Sequence, residues 1–110
     1  MTDLEITRLC AEAMGIHGAF SDWDDNRWEP PKRKHNFLIA GRLGNVDGVY
    51  DPLHDDAQSM ALVKRFMLNI CAFSGMAELG YQTRDRFTTF SDESINRAIC
   101  ECVAKMQAAK

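Results

Sequence analysis

The segment Tyr50-Asp51-Pro52-Leu53-His54-Asp55-Asp56-Ala57-Gln58-Ser59-Met60-Ala61-Leu62 constrains this chain more than any other. It reads as a strand exit, a rigid turn, a helix cap and then an amphipathic helix. Pro52 disfavours helix at Asp51 and sets the turn. Asp55 or Asp56 supplies a carboxylate for the first free backbone N–H groups, at the helix end where negative charge is stabilised. The middle of the chain is thereby committed to a strand-turn-helix unit.

Two further helices follow from periodicity. Thr2 and Glu5 form a capping box almost at the N-terminus. Ile6, Leu9, Cys10, Ala13 and Met14 then recur at helical spacing, and Gly15 and Gly18 end the run. In the middle helix, expected over about Asp56 to Met67, Ala57, Met60, Ala61, Lys64 and Phe66 cover one broad face, widened by Leu62 and Val63. Near the C-terminus, Ser91 with Asp92 and Glu93 is expected to start a helix whose stripe is Ile95, Ala98, Ile99, Cys102, Val103 and Met106.

Strand signals are shorter. Phe37-Leu38-Ile39-Ala40 is either a strand or a buried loop segment, followed by turns at Gly41, Gly44-Asn45 and Asp47-Gly48. Leu68 to Phe73 reads as a strand. Beyond an irregular connection bounded by Ser74-Gly75 and Gly80, Tyr81 to Thr88 reads as its antiparallel partner. Ala19 to His35 reads as a loop of about 17 residues, long enough to be either functional or partly mobile. The expected fold class is α+β, an α/β/α sandwich with a small antiparallel sheet packed against about three helices. One domain is expected over residues 1–110, with the irregular loop at about 17–36.

Composition narrows the class. At 110 residues, 45% hydrophobic and 26% charged, the chain has the balance of a soluble globular domain. No apolar run approaches the roughly 18–20 residues of a membrane span. Met1-Thr2-Asp3-Leu4-Glu5 is acidic and lacks an apolar core, unlike a secretory signal. A net charge of −3 opposes general affinity for phosphate backbones. Cys10, Cys71, Cys100 and Cys102 all fall where interior faces are expected, and read as small buried hydrophobes kept reduced.

In three segments the chain resembles the phage ABA sandwich domain family, small proteins of tailed bacteriophages and prophages. They are Ile6 to Met14, Tyr50 to Ile70, and Asn96-Arg97-Ala98-Ile99-Cys100, with a looser match around Trp28-Glu29-Pro30. The resemblance implies helices on both faces of a sheet. It also implies residence in the cytoplasm of the infected bacterial host cell, but carries no activity and no site residues.

Four clusters have chemical potential. Asp51, His54 and Asp55, with Asp56, could hold a cation or perform acid–base work if a distant group such as Arg84 or Asp85 converged on them. Capping and turn formation account for the same aspartates. Asp22-Trp23-Asp24-Asp25-Asn26 echoes a calcium loop, but Arg27 stands where that loop needs glycine. Any of His17, His35 or His54 could approach a thiol, yet no local signature marks an activated cysteine. The loop residues Trp23, Trp28, Lys32, Arg33, Lys34 and His35 interleave aromatics with cations. Such residues form protein-interface anchors or stack the bases of single-stranded nucleic acid.

The expectation is therefore a non-enzymatic phage or prophage accessory protein. It would bind a host or phage protein through the tryptophan loop, as a host-defence inhibitor for example. Single-stranded nucleic-acid binding through that loop is the alternative, and a small metal-dependent enzyme built on Asp51, His54 and Asp55 a remoter one. No cofactor, metal, catalytic residue or membrane contact is expected, and self-association remains open.

Overall fold

The computed structural model describes residues 1–21, 36–41, 46–79 and 87–110. In chain order it contains helix α1 (Asp3–Met14), strands β1 (Gly18–Ser21), β2 (Asn36–Ala40) and β3 (Val46–Tyr50), and helix α2 (Asp56–Phe66). Strands β4 (Asn69–Cys71), β5 (Met76–Leu79) and β6 (Phe87–Phe90) and helix α3 (Ile95–Ala108) complete it. The fold is α+β: three helices with two antiparallel three-stranded sheets, ordered β1-β2-β3 and β4-β5-β6.

Each helix starts on a side-chain cap. Thr2 Oγ1 accepts from Glu5 N at 3.2 Å, Asp55 Oδ1 from Gln58 N at 2.9 Å, and Ser94 Oγ from Arg97 N at 3.1 Å. A cap of this kind contributes about 1 kcal/mol. The third cap corrects the expectation for Ser91, whose hydroxyl instead accepts from Glu93 N in the turn before the helix.

Helix α3 is the centre of the molecule. Ala98, Ile99, Cys100, Cys102, Val103 and Ala104 are all buried, a wider surface than one stripe. Its neighbours explain this: α1 and α2 pack against it, and so does the sheet β4-β5-β6. Thr89 Oγ1 of β6 donates to the Ala98 carbonyl oxygen and ties that sheet to the helix. Helix α1 contributes Ile6, Thr7, Cys10 and Ala11 to the interior.

The buried face of α2 is rotated from the expected one. Ser59 and Leu62 are buried, whereas Ala57, Met60 and Lys64 are exposed. Ser59 can turn inward because its hydroxyl donates to Asn96 Oδ1 of α3 at 2.6 Å, which offsets the cost of burying it.

Three expectations about strands are corrected. Gly18–Ser21, expected in the helix end and the loop, form β1 and pair with Asn36–Ile39 of β2. The connection after Ser74-Gly75 contains a strand, β5. That strand lies between β4 and β6, so β4 and β6 are not ladder neighbours; residues 81–86 of the expected partner strand lie outside the described residues. The first sheet joins the core through an edge-to-face chain of Phe20, Phe37 and Tyr50, with ring centroids 5.1 and 6.2 Å apart.

Candidate functional site

Two surfaces carry distinctive chemistry among the described residues. The first is a groove of about 390 Å³ lined by Asp3, Leu53, His54, Glu93, Ser94, Asn96 and Arg97. It forms where the N-terminal ends of α1, α2 and α3 converge. The helix ends are capped, and the side chains around them engage one another. Arg97 Nη1 donates to Asp3 Oδ1 at 2.7 Å, and Arg97 Nε lies 3.0 Å from Glu101 Oε1 and 3.7 Å from Glu93 Oε2. These carboxylates, Asp3 foremost, raise the already high pKa of the guanidinium.

His54 stands at the same groove, its Nδ1 3.0 and 3.1 Å from the two carboxylate oxygens of Asp51. That pairing leaves Nε2 as the ring nitrogen for any further partner. Asp55 is taken up as the α2 cap, and Asp56 accepts from Asn96 Nδ2 at 2.8 Å. The aspartates flanking His54 are thus drawn in different directions rather than toward a common point. Arg84 and Asp85 lie outside the described residues. Among the described residues, no three His, Cys, Asp or Glu side chains are placed to share a metal ion.

The second surface is the outer face of β4-β5-β6. Directly paired residues of antiparallel strands project to the same side. Ala77 and Thr89 are paired and buried toward α3, so the neighbouring rows face outward. One such row is Cys71, Met76 and Phe90; the other is Asn69, Glu78 and Thr88. Phe90 is 66% exposed, and Phe73, on the turn joining β4 to β5, is fully exposed.

The turn bearing Phe73 is anchored. Gly75 has φ +66°, and its carbonyl accepts from Ser91 N at 2.9 Å, just beyond Phe90. The two phenylalanines therefore belong to one stapled end of the sheet. Cys71 sits beside them, half-buried rather than interior as expected, and hydrogen bonds from Ser74 lower its thiol pKa. The other three cysteines are buried.

Sequence reasoning misses this surface because Met76–Leu79 falls in what the sequence presents as an irregular connection, which hides the outward row. The exposed Phe73 beside Ser74-Gly75 was the available signal, an apolar residue at a turn. The expected binding residues Trp23, Trp28, Lys32, Arg33, Lys34 and His35 lie outside the described residues, as does the acidic run from Asp22 to Asn26. No helix among the described residues is long and apolar enough to cross a membrane. No family model, curated protein or solved structure matches the chain.

Proposed function

We propose that this chain is a non-enzymatic binding protein whose partner is another protein, contacted through the outer face of β4-β5-β6. The carrying observation is the fully exposed Phe73 on a turn held by the Gly75–Ser91 hydrogen bond, beside exposed Phe90. An aromatic side chain on a pre-ordered turn contributes contact area with little further loss of conformational freedom on binding. Met76 and Cys71 extend the row across the sheet, giving the apolar centre such interfaces use. The tryptophan loop, Trp23 to His35, is the second surface of the proposal, on its residue types alone.

The resemblance to the phage ABA sandwich domain family supplies the setting, a phage or prophage accessory protein acting on a host or phage macromolecule in the host cytoplasm. The test is affinity capture of tagged protein from phage-infected cells, comparing the wild type with Phe73→Ser/Phe90→Ser and with Trp28→Ala. A partner held by the wild type and lost from the double variant, with far-UV circular dichroism unchanged, supports the sheet surface. Retention by the double variant and loss from Trp28→Ala transfers the contact to the loop. Capture of nucleic acid, with affinity falling steeply as salt rises, would replace the protein-partner reading.

A further inference from the structure

We infer that Cys10 and Cys100 are a latent disulfide pair, able to lock α1 onto α3 when the chain meets a disulfide oxidant. The two residues lie on the faces where these helices pack, and both are wholly buried. Cys10 Sγ donates to the Cys100 carbonyl oxygen at 3.3 Å, so one sulphur touches the other residue's own main chain. A disulfide needs α-carbons about 4.4–6.8 Å apart, so the link requires α1 and α3 to meet within that range at this contact. The neighbouring Cys10 thiol and burial both push the pKa of the Cys100 thiol strongly upward.

That environment sets when the bond forms. A buried thiol with a raised pKa yields little thiolate, and the thiolate is the attacking species. Oxidation is therefore slow in the closed fold and fast while α1 is still away from α3. With glutathione disulfide as oxidant, the thiolate of one cysteine attacks a glutathione sulphur and expels one glutathione. The second cysteine then attacks the mixed disulfide and expels another. Two electrons pass from the protein to glutathione, and the two thiol protons end on the two glutathione molecules released. The closed loop spans nearly the whole chain, where the restriction on the unfolded state is large.

The experiment is refolding of the full chain in a glutathione redox buffer, with a parallel sample in reducing buffer. Alkylation and mass spectrometry count free thiols, peptide mapping locates any link, and thermal unfolding is recorded for both samples. The expected result is loss of two of the four thiols, a peptide joining Cys10 to Cys100, and a Tm higher by more than about 5 °C that dithiothreitol reverses. Cys71→Ser and Cys102→Ser should leave the link in place, and Cys10→Ser should abolish it. Should Cys10→Ser fail to fold, the link mapped in the wild type still decides. Four free thiols after oxidative refolding, a link to Cys71 or Cys102, glutathione adducts alone, or a linked form that melts lower would each overturn the inference.

Discussion

Arg97 on α3 holds Asp3 on α1 at 2.7 Å, across 94 positions of sequence. The contact joins the first turn of the first helix to the first turn of the last, and Glu93 and Glu101 flank the same guanidinium. Three carboxylates around one cation make the site unequal in its two halves. Asp3 is largely exposed, so Asp3→Asn should cost below about 1 kcal/mol and less still at high salt. Arg97→Ala leaves Asp3, Glu93 and Glu101 without their shared cation and should cost more. Urea unfolding in low and high salt checks the order. Equal losses in both variants, with no salt dependence, would show that the cluster contributes packing rather than charge.

A polar relay ties α2 to α3 a short way off. Ser59 Oγ donates to Asn96 Oδ1, and Asn96 Nδ2 donates to Asp56 Oδ1. Ser59 is buried, and without Asn96 its hydroxyl keeps only a long contact to the Asp56 carbonyl oxygen at 3.4 Å, so most of the cost of desolvating it is exposed. Asn96→Ala should therefore destabilise by about 1–3 kcal/mol. Adding Ser59→Ala should recover part of that loss, since the poorly satisfied hydroxyl goes with it. A double-mutant cycle by denaturant unfolding measures the coupling. Strict additivity would mean that the two side chains act independently.

Two glycines with the same backbone hand should respond differently to alanine. Gly15 caps α1 at φ +70°, and a Cβ there meets nothing within 4 Å. Gly75 has φ +66°, but a Cβ there would lie 2.2 Å from the Ser91 carbonyl oxygen. Gly15→Ala should cost about 1–2 kcal/mol, the penalty of the left-handed conformation alone. Gly75→Ala adds a clash with backbone that cannot move without releasing the Phe73 turn. Its loss should be the larger by at least about 1 kcal/mol. Thermal unfolding of the two variants side by side decides, and equal values would show that the turn yields freely.

Periodicity and capping made the helices legible, and the strands were harder for a physical reason. The α1 stripe and its Thr2 cap could be read directly, as could a cap of α2 at Asp55 or Asp56, which the structure assigns to Asp55, because these signals are local. The rotated face of α2 could not, since a serine becomes an interior residue only when Asn96, distant in sequence, offers it an acceptor. Met76-Ala77-Glu78-Leu79 alternates too briefly to announce a strand; its pairing with β4 and β6 makes it one. Of the candidate site, only the His54 neighbourhood was visible, and its aspartates proved to be divided among cap, pair and relay. The Arg97–Asp3 contact joins two helix starts that no local pattern connects.

Buried thiols and a buried phenol make the fold sensitive to alkali. Burial pushes the Cys102 thiol up to about 11 from 9.0. It also raises Tyr50 well above 10.0, with Cys10 and Cys100 adding to the effect. In each case the folded state holds its proton more tightly than the unfolded state. The associated stability is therefore complete below the unfolded pKa and is lost as pH rises through the folded one. Unfolding free energy in the presence of a reductant should hold steady from pH 7 to about 9 and then fall. Cys102→Ala lowers the whole curve by opening a small cavity, yet should flatten its slope between pH 9 and 11. Tyr50→Phe offers a cleaner reading, because Tyr50 Oη is buried with no hydrogen-bond partner among the described residues. Removing that hydroxyl should leave stability at pH 7 unchanged or raise it by up to about 1–2 kcal/mol, and should lessen the decline above pH 10. A Phe variant that is less stable at pH 7, with an alkaline slope equal to the wild type's, would show that the phenol is bonded in solution.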